Sequence, residues 1–212
     1  MSTRVNVKHR SGWIGILLIC IAAFPGTTAT AGNLAGPVAV VERLHVALLT
    51  AMRQAETLGV KGRYRLLEPT IVSSFDFTKM VRIMTGRTTW REAGDGPRKN
   101  LVDAFSRFSV GNYAAQFNAF SGQSFVTVAK EKGPGKTMLV RTRIDQPNGK
   151  AVALTYVVHD KDGHWRIIDV LADAGISELA RRRAEYRSVI KRDGIDGLIT
   201  VLNRKADLLT AQ

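Results

Sequence analysis

The sequence predicts an α+β domain in which N-terminal helices precede a four-stranded antiparallel meander and two C-terminal helices follow it. Three observations carry this. Apolar residues recur at a helical period from about Pro37 to Phe120, the period drops to two from Gln123 to Leu171, and it becomes helical again after Gly175. Strands gathered into one block with short connections make a segregated layout, not alternating βαβ units.

The first helix is read from Pro37 to Leu58, with Val41, Leu44, Leu48, Met52 and Ala55 on one stripe and Pro37 suited to the first turn. Gly59 and Gly62 close it. A second runs from Arg63 to Ser74, with Pro69 as an interruption or a new start. Asp76 to Met84 forms a third, capped by Asp76 and ended by Gly86. A longer helix starts at Asp95-Gly96-Pro97 and reaches Phe120. Leu101, Phe105 and Phe108 share one face of it, Tyr113, Phe117 and Phe120 another, with Gly111 as a register shift between them.

Four strands follow, at residues 124–130, 137–144, 151–159 and 165–171, separated by Gly133-Pro134-Gly135, Pro147-Asn148-Gly149 and Asp162-Gly163. Connections this short join antiparallel neighbours. Their alternation is blurred, because Val157 stands beside Tyr156 and Val158, and Ile167 beside Ile168. Such a sheet is covered by helices on both sides, or one face lines an apolar pocket. The last helical stripes are Ile176, Leu179, Arg183, Tyr186 and Ile190, then Ile195, Leu198, Leu202 and Leu209.

Ahead of this domain lies an export pattern. Arg4, Lys8 and Arg10 precede an apolar run from Trp13 to Phe24, then Pro25-Gly26 and the small-x-small site Ala29-Thr30-Ala31. The run is too short to span a bilayer, which takes roughly 20 residues. The expectation is a signal peptide over residues 1–31, cleaved from a single domain over 32–212. Cys20, the only cysteine, falls inside the run, so the mature chain has neither disulfide nor thiolate chemistry. The leader holds three of the 31 Lys+Arg and none of the 18 Asp+Glu, which leaves +10 on the remainder. That charge favours an anionic partner; outside the cytoplasm this means an acidic membrane surface or protein, and not nucleic acid.

Candidate chemistry is sparse. Gly133 to Thr137 lacks the first glycine of a phosphate loop, since Lys130 holds that place, and it joins two strands. His159, Asp160, Asp162 and His164 crowd one turn without a third imidazole, which reads as a solvated hairpin tip and not a metal site. His45 sits at the edge of the first apolar stripe. No G-x-S-x-G is present, and Asp169 has no evident histidine partner. The protein is therefore expected not to be an enzyme and to need no cofactor or metal. One enzymatic alternative, a small-molecule enzyme, would use Asp169 as a buried base. Arg181, Arg182, Arg183, Arg187, Lys191 and Arg192 make the start of the penultimate stripe strongly basic.

An ordered set of short stretches resembles the MlaC/toluene-tolerance family of periplasmic lipid-binding proteins. The set runs from Glu68-Pro69 through Phe75-Asp76-Phe77-Thr78-Lys79-Met80, Gly86 and Trp90 to Leu101-Val102-Asp103-Ala104-Phe105 and Tyr113. It continues in Val140-Arg141-Thr142, Asn148-Gly149-Lys150, Trp165 to Val170, Gly175-Ile176-Ser177, Arg183 and Gly194 to Ile199. The segment from Asp169 to Ser177 is one residue longer before its glycine than the family pattern and carries Asp173 in place of Glu. With Ser177 to Arg183, it looks more like the hopanoid-associated HpnM branch.

The resemblance implies an apolar pocket enclosed by helices and sheet, with lipid tails inside and the headgroup at the mouth. It also implies handover between an inner-membrane transporter and the outer membrane, with phospholipid or hopanoid as ligand. Candidate pocket residues are Phe75, Met80, Met84, Phe105, Phe108, Tyr113, Phe117, Val140, Leu154, Tyr156, Trp165 and Ile167. Arg181, Arg182, Arg187 and Lys191 form the candidate docking face for an anionic membrane or transporter. Asp76 and Arg183 are expected to be structural, as a buried pair. The competing reading is a basic periplasmic adaptor that carries no lipid.

Overall fold

A computed structural model describes residues 36–211 except 148, 173 and 174. The export pattern, Cys20, Asn148 and the Asp173–Ala174 departure all lie outside the described residues. The element order is α1 (Pro37–Arg53), α2 (Ala55–Ser74), α3 (Phe77–Thr85), α4 (Arg87–Glu92), α5 (Asp95–Gln116), β1 (Ser124–Lys132), β2 (Thr137–Asp145), β3 (Val152–Lys161), β4 (His164–Ala172), β5 (Ile176–Ser177) and α6 (Glu178–Thr210). Helices, an antiparallel sheet, then helix again is the expected α+β arrangement.

Differences lie at the joints. The first helix stops at Arg53 instead of Leu58, and the next begins at Ala55 and kinks at Gly59, whose φ of 57° suits glycine. Pro69 stays inside α2. It is exposed, so water can serve the carbonyl its missing N–H leaves unpaired. The short α4 is absent from the sequence reading, because six residues are too few to display a period. Helix α5 ends at Gln116, before Phe120. Gly111 does not break it; it lets α6 approach, with Leu209 Cβ 3.5 Å from where a Cβ would stand. The two expected C-terminal helices are the two segments of α6 on either side of Gly194, where φ is 67°.

The sheet has five strands in the order β1-β2-β3-β4-β5, all antiparallel, the fifth only two residues long. The blurred alternation has a local cause. Val157 pairs with Asp169 and Val158 with Ile167, so Ile168 is the extra residue of a bulge, and both isoleucines are buried. On one face lie Phe125, Val140, Thr142, Leu154, Tyr156 and Val170, related by cross-strand register. The opposite face carries exposed Arg141, Arg143 and Ala153, so helices do not cover both sides. Helix α1 packs on the apolar face through Val40, Val41, Leu44, Leu48 and Ala51, all fully buried. Each buried leucine there contributes about 1.5–3 kcal/mol. A parallel bridge from Phe75 to Ile167, with the Asp76 N–H donating to the Ile167 carbonyl at 2.9 Å, ties the turn before α3 to β4.

Candidate functional site

One end of the apolar sheet face is not filled. Between Ile144, Val152, Leu154, Tyr156, Val170 and Ala172 of the sheet and residues of α3, α5 and α6 lies a cavity of about 320 Å³. Its helical wall is built from Phe75, Phe77, Met80, Phe105, Phe108, Tyr113, Phe117 and Leu179. Helical spacing explains the set: Phe105, Phe108, Asn112 and Gln116 recur at three or four residues along α5 and point the same way.

The aromatic side chains form an unbroken series. From Phe108 it passes through Phe105, Phe77, Phe75, Tyr113, Phe117 and Phe125 to His45, with successive centroids 6.4, 6.0, 5.7, 5.9, 5.8, 6.3 and 4.2 Å apart. Offset and tilted rings at such spacings attract one another beyond simple burial. At its end His45 Nε2 and the Tyr156 hydroxyl share a hydrogen bond of 3.1 Å, and both residues are buried. Burial lowers the His45 pKa to about 4 and raises that of Tyr156 well above the usual phenol range, so both are neutral near pH 7. The buried end of the aromatic series, where Tyr156 meets the cavity, thus has polar atoms but no charge.

The mouth is different. Asn112, Gln116, Ser109, Glu178, Arg181 and Arg182 surround it. Arg182 pairs with Glu185 at 3.0 Å and lies 4.8 Å from the centre of the Phe108 ring. Glu185 also accepts from Lys205. Burial would raise the Glu185 pKa, but hydrogen bonds from Lys205 and Arg182 outweigh it and hold the carboxyl below its ordinary value. Asp169 reaches the cavity wall, yet its oxygens accept from the Val170 N–H at 2.8 Å, the Ser177 hydroxyl and the Leu179 N–H at 3.0 Å. It fastens β4 to the start of α6.

Eight of the twelve sequence candidates line the cavity: Phe75, Met80, Phe105, Phe108, Tyr113, Phe117, Leu154 and Tyr156. Met84, Val140, Trp165 and Ile167 do not. Met84 is one turn beyond Met80 and buried in the core, as are Val140 and Ile167, while Trp165 lies near the β3–β4 hairpin opposite Asp160. Val140 and Ile167 belong to the closed part of the sheet face, whereas Trp165 is only half-buried. Phe77, Ile144, Val152, Val170 and Leu179 were missed; Val152 and Ile144 follow from Leu154 by strand parity once the hairpin register is known. The candidate basic face divides: Arg181 and Arg182 reach the cavity, whereas Arg187 and Lys191 are exposed farther along α6.

Asp76 and Arg183 are not a pair. Asp76 caps α3 by accepting from the Lys79 N–H at 3.0 Å, and it meets His159 Nε2 at 3.1 Å and Lys161 Nζ at 3.4 Å. His159 is buried here, not at a solvated tip, with Lys79 Nζ 3.1 Å from its Nδ1. Burial and the Lys79 charge lower its pKa. The Nε2–H tautomer satisfies both contacts, donating to Asp76 and accepting from Lys79. Among the described residues no three His, Cys, Asp or Glu side chains are placed to share a metal ion.

Comparison with known proteins finds relatives by family, by sequence and by structure. A family model described as "MlaC protein" matches residues 42–204. The intermembrane phospholipid transport system binding protein MlaC of Haemophilus influenzae is 28% identical over 113 residues, 51% of this chain and 52% of that protein. The chain thus spans about half the length of this curated relative. The structure of a phospholipid-binding protein from Ralstonia solanacearum, solved in complex with a phospholipid, superposes with a TM-score of 0.70 at 23% identity and covers 83% of this chain and 99% of that one. At that identity the likeness establishes the fold.

Proposed function

The chain belongs to the MlaC protein family, and on that premise we propose that it is a periplasmic lipid carrier whose cargo tails occupy the cavity behind Phe108, Phe105 and Tyr113. The single observation that carries this reading is the unfilled, aromatic-walled end of the sheet face, with the guanidinium groups of Arg181 and Arg182, each beside a glutamate, at its mouth. Tails need the first property and an anionic headgroup the second. Arg181 and Arg182 receive the headgroup in this reading, while Arg187 and Lys191 extend the basic surface toward an inner-membrane transporter. The export pattern over residues 1–31 supplies the route to the periplasm, leaving residues 32–212 as the working domain.

Energetics sharpen the reading. At about 30 Å³ per water-sized group, the cavity takes roughly ten such groups. Burying ten methylenes is worth about 8 kcal/mol relative to water, and a bilayer offers the same. Exchange is therefore nearly balanced, and the protein contributes a dry route more than a thermodynamic pull. A two-chain lipid has about 30 methylenes, so full loading requires α5 and α6 to move away from the sheet.

A second cargo, hopanoid, is favoured by the longer segment between Asp169 and Gly175, the HpnM-like departure. Flat polycycles also pack well on ring faces. The test is to purify the protein in the form the cell produces and extract it with organic solvent. Stoichiometric phospholipid or hopanoid in the mass spectrum supports the carrier and names its cargo. Extracts without lipid, together with no uptake from vesicles after delipidation, would leave the adaptor reading in its place.

A further inference from the structure

A second concavity lies on the other side of α3 and α6. It measures about 580 Å³ and shares no lining residue with the cavity. Met80 of α3 and Arg182 of α6 line the first, while Arg82 and Ile83 of α3 and Arg183 of α6 line the second.

Four of the seven residues lining this cleft are arginines: Arg82 from α3, Arg87 and Arg91 from α4, and Arg183 from α6. Seven other arginines of the domain sit beside an acid: Arg98, Arg107, Arg141, Arg143, Arg181, Arg182 and Arg192. These four have no ion pair among the described residues. Like charges lining one concavity focus a positive field and raise the local concentration of anions. Guanidinium groups in particular match phosphate oxygens two at a time. Gly86 forms part of the wall, with φ of 86°; a Cβ there would stand 3.9 Å from Arg183 Nη2. The passage from α3 to α4 therefore presents bare backbone beside the guanidinium.

The remaining lining residues are apolar. Ile83 is 40% exposed, and Trp90 is half-buried, its ring covered on one side by Arg98 at 5.6 Å. An exposed isoleucine and an indole set among unpaired arginines suit a membrane interface, where Trp sits at headgroup depth and basic side chains meet lipid phosphates. An acidic protein surface would use the charges but gives no place to the isoleucine.

We infer that this arginine cleft is a membrane-docking site that takes the phosphate group of an anionic lipid headgroup, with Ile83 and Trp90 entering the interface beside it. The site is separate from the cargo cavity and acts whether that cavity is filled or empty. It sets the α3–α4 face, not the exposed flank of α6, against the bilayer.

The test is sedimentation of the protein, purified in the form the cell produces, with phosphatidylcholine vesicles carrying a minority of phosphatidic acid. Wild type sediments with these vesicles at low salt and not with pure phosphatidylcholine. Arg87→Glu with Arg91→Glu, both exposed and free of ion pairs, weakens binding at least tenfold, as expected for two surface cations at about 1 kcal/mol each. Lys130→Glu with Lys132→Glu on β1 changes net charge equally and keeps binding within about twofold; an equal loss there would overturn the site in favour of net charge. A Trp165→Phe background gives an independent reading, because Trp90 emission shifts to the blue on these vesicles. No shift, or binding of free pyrophosphate without binding of vesicles, would also overturn it. Lipid content after solvent extraction is unchanged in the Arg87/Arg91 variant, so failure of docking and failure of the carrier reading are told apart.

Discussion

The two ends of one sheet face are built from the same kinds of residue and do opposite things. At the β3–β4 hairpin end, Val158 and Ile167 are fully buried, Phe75 bridges to Ile167, and Asp76, His159, Lys79 and Lys161 lock the turn before α3 to the strands. At the other end Leu154, Val170 and Ala172 face open space against α5 and α6. Strand patterning cannot distinguish them. What differs is the element opposite: the turn before α3 presses on one end, while at the other the rings of α5 stack on Phe75, Phe77 and Phe117 and leave space against the strands. A pocket of this kind is made by what the helices leave uncovered.

The closed end should be where stability resides. Ile167→Ala there should cost about 2–5 kcal/mol, the range for a large-to-small change that leaves a void, whereas Leu154→Ala beside the existing cavity should cost well under half as much. Urea unfolding of both variants checks this; equal losses would erase the distinction between the ends. Next in size is an acid effect at His45, the hydrogen-bond partner of Tyr156 in the cavity wall. His45 is neutral in the fold with a pKa of about 4 against 6.5 unfolded. The unfolded chain takes up the proton first, so this contribution is complete above pH 6.5 and is lost as pH falls through 4. It amounts to roughly 3 kcal/mol. His45→Phe should flatten the stability profile over that window.

Asp76 answers at lower pH. Burial alone would raise its pKa, but the Lys79 N–H, Lys161 and His159 together lower it. Its stabilisation is present above the unfolded pKa near 3.8 and disappears as pH drops through the folded value. Asp76→Asn should therefore be less stable than wild type by about 1–3 kcal/mol at pH 7, with the gap closing in strong acid. Denaturation midpoints at the two pH values measure it. At the open end, Phe108→Trp or Tyr156→Trp should fill the cavity and slow lipid uptake several-fold, at a cost of about 1–3 kcal/mol for overpacking. The smallest effect is expected at the α5–α6 seam: Gly111→Ala meets Leu209 at ordinary contact distance and should stabilise α5 by about 0.5–1 kcal/mol. Slower uptake in that variant would show that the α5–α6 seam must loosen for loading.

Much of this was legible in the sequence. The change of period from 3.6 to two and back placed nearly every helix and strand, and it grouped Phe105 with Phe108 on one helix face, while the pocket itself was assigned only through the family resemblance. The adjacent Ile167 and Ile168, ambiguous as an alternation, turned out to mark a bulge. What could not be read was depth along the face. Val140 and Tyr156 are direct cross-strand neighbours, yet only Tyr156 meets the cavity. His159 looked like part of a polar hairpin, because its partner Asp76 is 83 residues away. The arginine cleft was equally hidden: Arg82, Arg87, Arg91 and Arg183 come together only when α6 returns beside α3.

A lipid tail held in this cavity lies against the α5 rings and away from the β3–β4 hairpin. Protein delipidated and reloaded with an acyl-labelled phospholipid should give NMR contacts between the chain and the rings of Phe105, Tyr113 and Phe117, with none to the Trp165 indole. Contacts to Trp165, or reloading that leaves all of these rings unchanged, would contradict it.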